Sequence, residues 1–535
     1  MAWHYIIVGA GSAGCVLAHR LSANPKHRVL LLEGGGPDSS PFVRVPAGEI
    51  KAILNPRLNW MYMSERDPTL NDREAMWPGG KVLGGSSSIN GMIYLRGQRE
   101  DYDDWGRTLG NSGEWSYRDV LPYFKKMETN PFGATEYHGD SGPLHVSNVP
   151  TPHGLTRIFI ESAQQVGIPF NPDVNGERQE GVGPHQGTIR RGRRNSTAQA
   201  YLKPARGRPN LHVITGAKVD RVIFEGRRAV GVRFSQNGQT RDERADGEVI
   251  LSAGAIASPA ILMRSGIGPA GELGTHGIAV VHAAPGVGQN LQEHPIAWVS
   301  GYVSLSTYNL QLTPYHFVKH GLNWLVMGRG PAASPISQAI AFLRTRPKEE
   351  TRPDIQLHFT PTGYEFGPDG LALLKRAAVT VPANVCRPKS RSELTLRSAS
   401  PDDPPRIKSR LLADEDDVRR MIDGCRIARS ILEAPAFKPY YQGPCMPAPD
   451  VRSDDELKAY LRQYTLPAYH PVGTCKMGID TMAVVDGRLR VIGVERLRVV
   501  DASIMPLLTS SNTNAPTIMI GEKGADMILA DGRAA

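Results

Sequence analysis

Cysteine is scarce. The chain has five in 535 residues, Cys15, Cys386, Cys425, Cys445 and Cys475, with no Cys-x-x-Cys pair and no metal-ligand spacing. That pattern excludes a disulfide scaffold and a thiolate metal centre, and it fits a reduced, cytoplasmic protein with no metal. No apolar run reaches the roughly eighteen residues that a bilayer-spanning helix needs. Internal repeats and low-complexity tracts are missing. A signal-peptide pattern is missing too, because a strand begins almost at once. Clustered charge of one sign is also rare. The net charge is +9, yet Lys and Arg are scattered, and the tightest group is Arg190-Arg191-Gly192-Arg193-Arg194. Without a recognition module beside it, this reads as a solvated arginine loop, not as a nucleic-acid surface.

What is present is a chain too long for one simple core, so two domains are expected. Glycine (56) and proline (42) are plentiful, which implies many turns and loops that hug a cofactor. His4 to Val8 is a short apolar run of the kind that forms a buried parallel strand. Cys15 to Leu21 reads as a helix, and Arg28 to Leu32 as a second buried strand ending at Glu33. Further strands are predicted at 211–214, 218–224, 229–234 and 249–251, returning to the first sheet. Past residue 310 the character changes. Ile355, Leu357 and Phe359 alternate with Gln356 and His358, and Leu394 and Leu396 alternate likewise, as in sheets with one wet or cofactor-facing side. Val418, Met421, Ile422, Cys425, Ala428 and Ile431 recur at helical spacing behind an acidic first turn. Tyr315 to Met327 is mildly amphipathic; the reading preferred is a packed helix of the substrate domain over one that touches a membrane surface.

Gly9-x-Gly11-x-x-Gly14 sits between the first strand and the first helix. In such a turn the first glycine makes the bend and the second lets the backbone approach a pyrophosphate. The third lets helix and strand pack closely, and the phosphates meet the positive helix end, here flanked by Ser12 and Ala13. Glu33 can accept hydrogen bonds from a ribose. This unit alone leaves NAD and FAD open. Strand ends that recur far away, at Ser252-Ala253-Gly254 and Val499-Val500-Asp501, suit the longer FAD.

Three further blocks carry a resemblance. They are Gly80-Lys81-Val82-Leu83-Gly84-Gly85-Ser86-Ser87-Ser88-Ile89-Asn90-Gly91-Met92-Ile93-Tyr94, Gly254 to Gly268, and Gly286 to Pro295. With the C-terminal segments Tyr469-His470-Pro471 and Asn512-Thr513-Asn514-Ala515-Pro516-Thr517, the chain resembles the glucose–methanol–choline (GMC) flavoprotein oxidoreductases along almost its whole length. Its style is that of the bacterial choline-dehydrogenase-like alcohol oxidoreductases. The resemblance implies an α/β fold, with a Rossmann-like FAD-binding domain and a second α+β substrate domain on an antiparallel sheet. It places the adenine end of FAD at Gly9 to Gly14, Glu33 and Val219, and the flavin end at Gly85, Asn90, Gly91, Met92, Ile93, Ala253, Asp501, Ala502, Pro516 and Thr517. Some choline oxidases attach FAD through a histidine just before the signature Asn. Ile89 stands there, so non-covalent FAD is predicted. The division expected is 1–155, 195–310 and 465–535 for the FAD domain, with 156–194 inserted from, and 311–464 forming, the substrate domain.

Alcohol oxidation needs a proton taken from oxygen and a hydride taken from carbon, and a histidine near neutral pKa suits the first step. The resemblance puts His470 over the reactive flavin face as base and Asn514 beside it as the amide that supports the substrate oxygen, while Asn512, two residues earlier, is the weaker candidate. Pro516 suits a first helical position, and the helix it opens would aim its positive end at the flavin. His294 is expected to fix its loop, His358 to line the pocket or pack structurally, and Arg194 to position its neighbours. Partners implied are a small-molecule alcohol and oxygen or another electron acceptor. Choline itself would require an aromatic cage or carboxylate, for which Tyr364, Glu365 and Phe366 are candidates by composition. The alternative is the same scaffold used as a lyase or flavin photodecarboxylase.

Overall fold

The computed structural model describes residues 2–110, 114–367 and 370–534. The side chain of Phe366 lies outside the described residues.

Two sheets organise the chain. In the first, parallel strands run in the order Leu211–Thr215, Val29–Glu33, Trp3–Val8 and Gln239–Leu251, and Leu497–Val499 joins the last in parallel. Val29 to Glu33 are all buried, which explains why these strands are apolar without alternation. Gln239–Leu251 serves two ribbons. Its first half pairs antiparallel with Arg228–Gln236, and its end pairs in parallel with Trp3–Val8, Val8 opposite Leu251. Helix Ser12–Leu21 packs against the C-terminal helix Asn514–Ala534, where a Cβ on Gly521 would stand 3.0 Å from the Ala13 Cα. The two chain ends therefore meet at the cofactor turn.

The second sheet is antiparallel, in the order Tyr441–Met446, Pro295–Val303, Ala378–Val385, Ile355–Phe359, Ala339–Leu343 and Gly181–Pro184, with Leu466–Pro467 paired to Pro295–Val303. Pro295–Val303 thus sits in this sheet, although the sequence reading leaves 195–310 with the cofactor part. The alternation of Ile355–Phe359 marks no wet face: all five residues are buried, and Gln356 and His358 turn polar atoms inward. Helix Glu415–Glu433 covers this sheet. Its cap Asp414 accepts from the Asp416 amide, and Glu415, Asp416 and Asp417 occupy the positive end. Among the described residues no helix is long and apolar enough to cross a membrane, and the five cysteines are free.

Candidate functional site

A continuous cavity of about 1660 Å³ opens at the C-terminal ends of the first sheet's parallel strands and runs to the polar face of the second sheet. Its first end is the glycine turn. Gly9 has φ +99°, and a Cβ there would lie 2.5 Å from the Ser252 carbonyl oxygen. A Cβ on Gly14 would lie 1.9 Å from the Gly9 carbonyl oxygen, so only glycine lets this helix start touch its own turn. At Gly11 the nearest protein atom would be 3.8 Å away, and the backbone is bare toward the cavity. Gly85, at φ +52°, closes on Gly11: a Cβ there would be 2.7 Å from the Gly11 Cα. This cradle suits an elongated phosphate-bearing cofactor lying across the positive end of helix Ser12–Leu21.

Glu33 lines the same end. Its carboxyl accepts the Ala10 amide at 2.8 Å and the Gly35 amide at 2.7 Å, and burial pushes its pKa up to about 7. Further along, Asn90 Oδ1 accepts from the Met92 amide at 3.0 Å and from Arg194 Nη1 at 2.7 Å. Met92 itself has φ +60°. Arg194, the one inward member of the arginine loop, also donates to the Val43 carbonyl at 2.9 Å. Asp501 is filled by protein: Gly254 N at 2.9 Å, Ser258 Oγ at 2.6 Å and Ser503 N at 2.8 Å donate to its carboxylate. It ties the Leu497–Val499 strand end to the start of helix Gly254–Arg264. Of the cofactor residues expected from sequence, Gly9, Gly11, Ser12, Ala13, Glu33, Gly85, Asn90, Gly91, Met92, Ile93, Val219, Ala253, Asp501, Ala502 and Thr517 line the cavity, while Gly14 and Pro516 lie behind its wall.

The far end gathers imidazoles and amides into one directed chain of hydrogen bonds. His294 Nε2 meets the Cys386 carbonyl at 3.1 Å. A carbonyl only accepts, so Nε2 of His294 carries the proton and its Nδ1 has the lone pair. His470 Nδ1 lies 2.9 Å from that Nδ1 and must donate to it. This leaves the lone pair of His470 on Nε2, where Asn512 Nδ2 donates at 2.9 Å. Gln356 Nε2 in turn donates to Asn512 Oδ1 at 3.3 Å, and Asn384 Nδ2 to Gln356 Oε1 at 3.1 Å. The His470 amide is pinned at 2.8 Å by both oxygens of Glu293, whose carboxyl burial lifts to about 8.

Burial, then the neighbouring imidazoles of His294 and His358, hold His470 well below the ordinary histidine range. Burial likewise lowers His294 to about 4 and His358 to about 3. All three rings are neutral at physiological pH, the state in which His470 can receive a proton. Glu293, His294 and His470 place ligand-type atoms within 4.8 Å of one another, but their carboxylate oxygens and Nδ1 atoms are turned on each other and on backbone amides.

The two asparagines of the C-terminal segment have different hydrogen-bond partners. Asn514 begins the C-terminal helix, and its Oδ1 accepts from Ser12 Oγ at 2.8 Å, next to the glycine turn. Asn512, two residues earlier in non-helical backbone, is the amide that reaches His470. Both line the cavity. His294, read from sequence as a loop-fixing residue, is the second partner of His470; Gln356 is a further member that sequence reasoning missed. The signal available for both was position: one in the Gln-Glu-His-Pro block, the other on the inward side of an alternating strand. Trp298 and Tyr364, edge to face at 5.7 Å between ring centroids, also line the cavity.

Comparison with known proteins converges on one class. Two family domains described as GMC oxidoreductase match residues 3–296 and 388–521. The chain belongs to the GMC oxidoreductases, the FAD-dependent flavoproteins that oxidise CH–OH donors. It is 42% identical to an alcohol dehydrogenase [acceptor] of Pseudomonas putida, covering 98% of this chain and 96% of that one. It is 44% identical to the mitochondrial choline dehydrogenase of Mus musculus, covering 98% and 89% respectively. Among solved structures, pyridoxine 4-oxidase from Mesorbium loti superposes with a TM-score of 0.89 at 30% identity over 98% of both chains. A formate oxidase of Aspergillus oryzae, studied for modification of its FAD, gives 0.92 at 26% identity, covering 100% of this chain and 99% of that one.

Proposed function

We propose that this chain oxidises a primary alcohol to an aldehyde on a non-covalently held FAD, with molecular oxygen or another acceptor taking the electrons onward. The cavity fits the cofactor. Its bare glycine cradle lies at a helix start, Glu33 and Val219 would meet the adenine end, and the Asn90 to Ile93 and Asp501 to Ala502 segments line the same cavity as His470. When bound, FAD supplies the two-electron acceptor for hydride from the carbinol carbon. Ile89 occupies the position from which a histidine would tether it, and packs with Val43, Val82 and Leu58.

His470 Nε2 takes the hydroxyl proton. Asn512 Nδ2, released from His470 when substrate enters, donates to the same oxygen as its charge grows. His294 is a positioning residue: it holds the Nδ1 proton and so keeps the lone pair on the cavity side. Asn514 and Ser12 join the helix start to the glycine turn, and the positive end of Asn514–Ala534 would favour negative charge on bound FAD. The single observation that carries this reading is the lone pair of His470 Nε2, turned toward Asn512 Nδ2 at 2.9 Å, with both residues lining the cavity. The lyase or photodecarboxylase alternative is not favoured, since the relatives over the full chain are named as alcohol and choline dehydrogenases.

Anaerobic mixing of the purified yellow protein with a panel of primary alcohols in the dark tests the proposal. Bleaching of the flavin band by at least one alcohol is expected, and acid precipitation should release FAD into the supernatant. A flavin that no alcohol bleaches, or that stays with the precipitate, would overturn the corresponding part.

A further inference from the structure

The helix Pro314–Met327 is inverted. Its half-buried positions include His316, His320 and Trp324, spaced four apart. These are held by polar contacts: His316 to Thr313 Oγ1 at 2.9 Å, His320 to Gln311 Oε1 at 3.0 Å, and Trp324 Nε1 to the Gly192 carbonyl at 2.7 Å. The outward positions Tyr315, Phe317, Val318, Leu322, Val326 and Met327 are between 57% and 77% exposed. No residue of the helix is buried. A soluble surface rarely presents so continuous an apolar strip unless something covers it.

The surroundings state what kind of partner. From residue 311 to 330 there is no acidic residue, while Lys319 and Arg329 are exposed. Lys51 reaches over from a neighbouring helix, its Nζ 5.6 Å from the exposed Phe42 ring centre and 6.0 Å from that of Phe317. The arginine loop closes the other side: Arg193 lies 5.2 Å over the Trp324 ring, and Arg190 and Arg191 are exposed beside it. An apolar strip rimmed by cations complements anionic headgroups over acyl chains. A second copy docked symmetrically on this strip would bring two cationic rims together. The helix is also too short to span a bilayer, so it can only lie along its surface.

We infer that Pro314–Met327 lies in the surface of an anionic phospholipid bilayer, apolar side down, with Lys51, Lys319 and the arginine loop on the headgroups. Leu54, at the end of the short helix carrying Lys51, is exposed and lines the flavin cavity. The docked face and the cavity rim thus share an edge.

Co-sedimentation of the FAD-loaded protein with vesicles of phosphatidylcholine and phosphatidylglycerol, mixed about two to one, tests this against pure phosphatidylcholine. Binding to the anionic vesicles that weakens with salt is expected. Phe317→Glu with Val326→Glu should lower the partition at least about ten-fold while leaving flavin content and solution turnover unchanged. Lys51→Glu or Lys319→Glu should each lower it roughly five-fold on anionic vesicles only. No pelleting with anionic vesicles overturns the inference, as does a double variant that pellets like the parent. A dimer dissociated by Phe317→Glu, without vesicle binding, also overturns it and assigns the strip to a second copy.

Discussion

Replacing Asn512 by alanine removes the amide that reaches His470 Nε2 at 2.9 Å, and leaves Gln356 Nε2 without its 3.3 Å acceptor. In the proposed reaction the same amide donates to the substrate oxygen as it gains charge. Loss of one such donor from a preorganised site costs about 10²–10³ in rate, roughly 3–4 kcal/mol of barrier. Asn514→Ala removes a different bond, the 2.8 Å contact from Ser12 Oγ. A single neutral hydrogen bond is worth about 1 kcal/mol, so this variant should slow the reductive step by about five-fold and act mainly on cofactor retention. The assay is anaerobic stopped-flow reduction of the enzyme-bound flavin by the best alcohol of the panel, on preparations matched for FAD content. The expected order is wild type, then Asn514→Ala slightly slower, then Asn512→Ala slower by two or more decades. If Asn514→Ala were the more damaged of the two, the assignment of Asn512 as the partner of His470 would be refuted.

Further outcomes follow from the same geometry. His470→Ala should lower the reduction rate by about 10²–10⁴ without loss of bound FAD, checked by stopped flow and by the absorbance ratio of flavin to protein. In the parent enzyme the depressed pKa of His470 keeps the base unprotonated well below pH 6.5, so the acid limb of the reduction rate should fall on the acid side of that value. His294→Asn should move that limb toward neutral pH, because a neighbouring imidazole and part of the burial that depress His470 are removed; an unmoved limb would deny His294 its positioning role. Gly14→Ala forces a Cβ to within 1.9 Å of the Gly9 carbonyl oxygen, and it should cost about 1–3 kcal/mol or more of stability and empty the FAD site, read by thermal unfolding and flavin content. Three buried histidines with lowered pKa values, His294 (about 4), His358 (about 3) and His470, bind protons more readily in the unfolded chain. Their share of apoprotein stability should therefore fall as pH drops below 6.5 toward about 4, by at most roughly 4 kcal/mol per pH unit for the three together, opposed by the raised carboxyls of Glu33 and Glu293, which bind protons in the folded chain; urea unfolding of His358→Gln should lose stability less steeply with falling pH than the parent.

The parts of this protein that local stereochemistry dictates were legible in its sequence. Gly9 and Gly14 each have a steric reason to be glycine, Gly11 leaves the backbone bare toward the cavity, and Tyr5 to Val8 and Val29 to Leu32 are apolar because both faces are covered. The helix over 415–433 showed its apolar stripe and acidic start for the same kind of reason. Other features depend on where chains meet. The two asparagines at 512 and 514 differ by two positions, and only the turn from non-helical backbone into the helix decides which side chain faces His470 and which faces Ser12. His294 looked like a loop residue, because its partner His470 is 176 residues away and joins it only once Leu466–Pro467 pairs with Pro295–Val303. Gln356 reads as the wet or cofactor-facing side of a strand, and only the fold shows that this side is buried and reaches Asn512. Periodicity marked 315–327 as a helix with an apolar side, but it carries no information on which side faces in, and here the apolar side faces out.

The central claim is that an alcohol binds with its oxygen between His470 Nε2 and Asn512 Nδ2, its carbinol carbon against the reactive face of FAD. A crystal structure of the FAD-loaded enzyme with an unreactive alcohol analogue tests it most directly. The account predicts the analogue's oxygen within about 3 Å of both atoms, and His294 still holding the other nitrogen of His470. An isoalloxazine ring lying elsewhere in the cavity, or an analogue oxygen held by Asn514 in place of Asn512, would contradict it.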